Sequence, residues 1–201
     1  MTKGVIEMKK RVLKMVSNPM AMVITVSMML VTAMGLTNSV QAQDRGIESP
    51  RVSPNAVVSQ TIGTTDVVIT YGRPAVRDRI IFGELVPFGE IWRTGANEAT
   101  TISFSNDVLF EGEPVEAGIY SLFTIPRDED EWTIVLNNIA DQWGAYDYNV
   151  DQDVVRVNVE AEEALFMEQM MFYFEEIDEN SGTAVLHWDT TKVPFQITVD
   201  R

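Results

Sequence analysis

From about residue 53 onward the chain is a succession of short runs rich in β-branched and aromatic residues, each cut off by Gly, Pro, Asn or Asp. Almost no stretch repeats with a helical period. A chain that makes few helices has to cover one sheet with another, so this pattern limits it to sandwiches and barrels. Ten runs read as strands: 56–62, 66–71, 100–104, 108–110, 118–125, 131–136, 154–160, 167–176, 183–188 and 193–199. Together they predict an all-β fold, an antiparallel β-sandwich or flattened barrel of about ten short strands. Every second residue is apolar in Val185-Leu-His-Trp188 and in Phe195-Gln-Ile-Thr-Val199, as in strands with one face on a core. Gly63-Thr-Thr and the acidic 127–130 segment are turn signals, so the strands beside them should form hairpins. Residues 160–170 alone, past the N-terminus, hold good helix formers; they read either as a helix or as a loop leading into a strand.

The first 42 residues are of another kind. A basic segment from Lys3 to Lys14 precedes the apolar run Met20–Met34, and small and polar residues follow, ending Val40-Gln41-Ala42. This order predicts a signal-peptide helix over 1–42 with cleavage near Ala42, and so a secreted or periplasmic protein. An uncleaved anchor is the alternative, and Met8, which opens a complete basic segment of its own, is an alternative start to Met1. Residues 43–52 read as an exposed lead-in and 53–201 as a single β-rich domain.

Charge narrows the partners. After residue 42 there are 10 basic and 29 acidic residues, a net of −19. Such a surface repels phosphate backbones and anionic lipid headgroups, which argues against nucleic acid and, beyond the signal segment, against membrane. Nine of the ten basic residues are Arg, the cation suited to planar, directed hydrogen bonding. The chain has no cysteine and one histidine, His187, so disulfides, thiolate metal sites and multi-histidine centres are excluded within it. No cofactor and no metal are expected.

The densest stretch is 71–101, YGRPAVRDRIIFGELVPFGEIWRTGANEATT. With Ala117-Gly-Ile-Tyr120, Ile125-Pro126 and Gln142-Trp-Gly-Ala-Tyr146 it resembles the bacterial secreted family called domain of unknown function 2911, over residues 53–199. The resemblance implies an extracytoplasmic β-rich domain with a signal sequence and assigns it no activity.

Within that stretch Arg73, Arg77, Arg79 and Arg93 lie close in sequence. Two that converge would grip a carboxylate, sulfate or phosphate; alternatively each pairs with an acid such as Glu84, Glu90 or Glu98, or caps loop carbonyls. Gly95 permits an unusual backbone angle, and Asn97 and Glu98 either project into a cleft or close a corner locked by Arg93 to Glu98. Trp143 and Tyr146, with Tyr148, suit either a platform for a sugar ring or core packing. Asp147, Asn149, Asp151 and Asp153 alternate like calcium ligands, but Gln152 and Asn158 stand where such a loop needs Gly and Glu. A Ser/His/Asp hydrolase lacks its Gly-x-Ser-x-Gly elbow. The candidate ligand-binding residues are therefore Arg73, Arg79, Arg93, Asn97, Glu98, Trp143 and Tyr146, with no catalytic residue assigned. The sequence favours a non-catalytic extracytoplasmic binding or structural module for a small anionic or carbohydrate ligand. The alternative is an envelope-associated hydrolase using Glu98 with Asp147 or His187.

Overall fold

The computed structural model describes residues 43–46, 49–128 and 130–199. The signal peptide expected over 1–42 lies outside them. Among the described residues no helix is long and apolar enough to cross a membrane.

Among the described residues ten strands form two antiparallel sheets. β1 (Asn55–Ile62), β2 (Thr65–Gly72), β3 (Thr100–Phe104), β6 (Gly118–Ile125), β7 (Glu131–Asn137) and β8 (Asp153–Glu160) make a six-stranded sheet in the order β1-β2-β3-β6-β7-β8. β5 (Glu113–Val115), β4 (Val108–Phe110), β10 (Ser181–Thr198) and β9 (Glu162–Glu175) make the second, in the order β5-β4-β10-β9. The fold is thus a sandwich of two open sheets, not a closed barrel.

Alternation along the strands feeds two cores. Leu122, Ile134 and Leu136 join the main cluster between the sheets, with Phe104, Phe110, Trp188 and Phe195. Their sequence neighbours Phe123 and Val135 point the other way and, with Ala99, bury a smaller cluster under Ile91, Ala145 and Tyr148. The outer face of the large sheet is therefore covered by loop residues, which fixes where those loops lie.

Residues 160–170, which suited a helix by propensity, are instead mostly part of β9. Its pairing with β10 slips twice, between His187 and Asp189 and between Asp189 and Thr191, so the helix formers sit in a bulged strand. Tertiary pairing overrides propensity here. β10 has 18 residues and would span about 60 Å if straight. Yet the Val199 amide donates to the Asn180 carbonyl at 2.8 Å, so β10 doubles back, with Asp189 left-handed (φ 55°) at its middle. The two separate strands expected at 183–188 and 193–199 are its two arms.

Candidate functional site

The 27 residues between β2 and β3 close one opening of the sandwich and bind both sheets. On one side Trp92 exchanges backbone hydrogen bonds with Thr124 of β6 (2.8 and 2.9 Å). On the other the Val76 amide donates to Glu168 O (2.8 Å), and the Met170 amide of β9 donates to Pro74 O (2.9 Å). Phe82 enters between the sheets, its ring edge-on to Trp132 at 4.8 Å and to Trp188 at 6.1 Å, and Trp92 stacks on Trp188 at 5.9 Å. Apolar insertion, not charge pairing, holds the loop down.

The two ends of the loop cross at glycines. The Ala96 amide donates to Gly72 O (3.2 Å), and a Cβ on Gly72 would stand 2.0 Å from Ala96 O. Gly95 is needed for the same close approach, since its Cβ would meet Thr100 Oγ1 at 2.9 Å and Gly72 O at 3.0 Å. The unusual backbone angles expected at Gly95 fall instead on its neighbours Thr94 (φ 51°) and Asn97 (φ 67°), and on Arg77 (φ 52°) and Asp78 (φ 56°). Left-handed non-glycine residues cost on the order of 1 kcal/mol each, so strain is concentrated in this loop.

The arginines are not paired as expected. Among the described residues none of Arg73, Arg77, Arg79 and Arg93 forms an ion pair with a carboxylate. Arg73 Nε donates to Met170 O (2.8 Å), Arg79 to Val76 O and Ala75 O (2.9 and 2.6 Å), and Arg77 Nη2 to Val52 O (3.4 Å). Three of the four therefore cap carbonyls. Arg93 caps nothing: its Nε is buried and without a partner, and no hydrogen bond from its guanidinium is present among the described residues. Burial pushes its pKa down, with Tyr146 acting the other way.

Glu98 does not lock to Arg93. Its carboxylate is held by Arg51 Nη1 at 2.8 and 2.6 Å, with Arg45 Nη1 at 4.0 Å. Burial raises the Glu98 carboxyl, but the Arg51 hydrogen bond, a backbone hydrogen bond and the two guanidinium charges outweigh it and leave the pKa lowered. Both arginines come from the segment expected to be an exposed lead-in. Arg45 departs from that expectation: it is 7% exposed and donates to Thr70 O and Ala99 O, and burial lowers its pKa to about 10. Asn97 Nδ2 donates to Ser53 O (3.0 Å), so the chain just past that segment is also stitched to the loop.

These contacts enclose a cavity of about 300 Å³, lined by Arg77, Arg79, Arg93, Asn97, Trp92 and Trp188, with Val52 and Ser53 on one wall. Among the described residues no Asp or Glu lines it. Trp188 also lines it, and its indole Nε1 is fully buried and has no partner among the described residues. Sequence reasoning singled out Arg79, Arg93 and Asn97 of this lining but missed Trp188, which is distant in the chain and reads as an ordinary core residue. Arg73 and Glu98 are not part of the lining.

Trp143 and Tyr146 lie beside this site, on a loop joined to it by backbone bonds from Ala99 N to Gln142 O and from Gly144 N to Asn97 O (both 3.0 Å). Tyr146 is 84% exposed and Trp143 56%, whereas Tyr148 packs edge-on against Phe123 at 5.2 Å. The aromatic group thus divides between surface and core. Asp153 is engaged by Tyr148, Asn137 and Arg156, and His187 is buried with Nε2 2.9 Å from Leu165 O.

The fold and the cavity define a two-sheet β-sandwich protein with a long loop built into one opening. The family described as protein of unknown function (DUF2911) matches residues 53–197, and the chain belongs to it. No curated protein and no solved structure matches the chain.

Proposed function

We propose that the protein is a non-catalytic extracytoplasmic binding module whose cavity takes a small anionic ligand. Arg93 carries the reading: a guanidinium with no hydrogen-bond or ion-pair partner among the described residues, on the lining of a cavity that has three arginines and, among those residues, no acid. In a domain with a net of −19, such a lining makes a local positive site that an anion can enter and a cation cannot. Loops of this length without regular structure are uncommon in compact domains and usually functional. A base or nucleophile role for Glu98 fits poorly with a carboxylate whose two oxygens are both engaged by Arg51. Export rests on the charged, apolar and small-residue order of residues 1–42.

The test is a thermal-shift panel of acetate, citrate, phosphate and sulfate on the native chain and on Arg93→Ala. Stabilisation of the native chain that disappears in the variant is expected; a panel that moves neither protein sinks the anion reading. A second reading, a carbohydrate ligand, is favoured by the exposed rings of Trp143 and Tyr146. Stabilisation by sugars that is lost in Trp143→Ser would support it.

A further inference from the structure

We infer that two copies of the chain pair along the free edge of β1, antiparallel about a two-fold axis, so that their six-stranded sheets join into one. This does not depend on the cavity. The edge follows from the register: Arg73 N donates to Pro54 O (2.8 Å), and bonded pairs alternate along antiparallel strands, so Ala56, Val58, Gln60 and Ile62 bond to β2. The backbone N–H and C=O groups of Asn55, Val57, Ser59 and Thr61 therefore face away from the sheet. Among the described residues nothing bonds to this row except the Gln60 side chain, which donates to Thr61 O (2.9 Å). Such a row is a template for another strand.

The other sheet edges are guarded. β5 is short and holds a proline, Glu113-Pro114-Val115, and β8 carries Asp153, Arg156 and Glu160. β9 has Glu162 and Glu163 at one end and is bonded by the β2–β3 loop at Glu168 and Met170. β1, Asn-Ala-Val-Val-Ser-Gln-Thr-Ile, has no charge, no proline and an exposed Val57. Charge decides for a second copy. Two domains each with a net of −19 repel, yet this edge has ends of opposite charge. Its start lies beside Arg51, Arg73 and Arg77, where Glu98 and Glu168 are already engaged by Arg51 and the Arg77 amide. Its end lies beside Asp66, which accepts from Thr61 Oγ1 (2.8 Å), and beside the turn of Asp178 and Glu179, where a Gly63 Cβ would stand 3.2 Å from the Glu179 carbonyl. Antiparallel pairing sets the basic start of each copy against the acidic end of the other, with Val57 opposite Ser59 when the axis passes Val58. A parallel pair would set like against like.

Sedimentation equilibrium and backbone amide exchange on the native protein, dilute and concentrated, test this. A dimer is expected at high concentration, with the Val57 and Ser59 amides slowed at least about tenfold relative to the dilute protein. Those of Val58 and Gln60, bonded to β2, should exchange slowly throughout. Ser59→Pro removes an outward N–H and no bond to β2, and is expected to weaken the dimer at least about tenfold with the fold kept. Where that variant does not fold, the exchange pattern of the native protein decides. A protein monomeric up to about 1 mM overturns the inference, as does a dimer whose Val57 and Ser59 amides exchange as in the monomer. Slow exchange of those two amides at every dilution also overturns it, since the edge is then covered within one chain. A dimer that Leu165→Ser dissociates and Ser59→Pro leaves intact belongs to the exposed apolar residues of β9 and overturns it too.

Discussion

Arg51 reaches across 47 positions of chain to put one amino group within 2.8 and 2.6 Å of both oxygens of Glu98. Glu98 therefore belongs to the N-terminal strap and not to Arg93, and this releases Arg93 for the cavity. Removing the carboxylate charge should loosen the strap. The folded pKa of Glu98 is lowered, so its contribution is present above the usual carboxylate range and lost as pH falls through the folded value. Glu98→Gln is expected to cost about 1 kcal/mol at pH 7, allowing for solvent screening, and much less at an acid pH below the folded value. Urea unfolding at both pH values checks this, and an equal cost at both would mean that charge is not what binds the strap.

Arg79 and Arg93 should respond oppositely to the same substitution. Arg79→Met strips the cap from the Ala75 and Val76 carbonyls and is expected to lower stability by about 1 kcal/mol. Arg93→Met keeps the buried stem, removes a donor without a partner and should leave stability unchanged or slightly higher. Midpoints of chemical unfolding without ligand compare the two directly, and a large loss for Arg93→Met would show that it holds the fold.

Gly72→Ala places a methyl 2.0 Å from a backbone oxygen that cannot move without shifting the Ala96 strand entry. A loss of at least about 2 kcal/mol is expected, with any ligand response falling in step, because the same crossing shapes the cavity. A variant of native stability would show that the loop ends are looser than the Gly72–Ala96 hydrogen bond implies.

Tyr146→Ser, at an 84% exposed side chain, is expected to change stability by less than about 0.5 kcal/mol. Tyr148→Ser should cost several-fold more, since it removes the ring packed on Phe123 and the hydroxyl bonded to Asp153. Equal losses would mean that the two tyrosines share one environment.

The strands were legible because alternation and turn residues are local signals. Val185 to Trp188 and Phe195 to Val199 gave their strands without knowledge of the fold, and only the register and the reversal at Asp189 needed it. β5 escaped notice because Glu113-Pro-Val115 is too short to show a period. Of the site, Arg79, Arg93 and Asn97 were legible from density of charge and glycine in one stretch. Trp188 was not, because what distinguishes it is an absent partner, a property of the packed molecule. The role of Arg45 and Arg51 was hidden for a related reason: a short polar segment looks solvated until the acid that it meets, Glu98, is brought to it by another part of the chain.

The reversal within β10 bears on the order of assembly. β9 and both arms of β10 are consecutive in the chain, so they can close on each other with short loops and little entropic cost. The β2–β3 loop has its anchors at Glu168 and Met170 of that unit and at Thr124 of the other sheet, so it can settle only once both exist. Pulse-labelled amide exchange should then find Phe172 and Leu186 protected before Val76 and Ala96. The cavity would be the last part of the protein to form, and occupancy of it a mark of a chain that has finished folding.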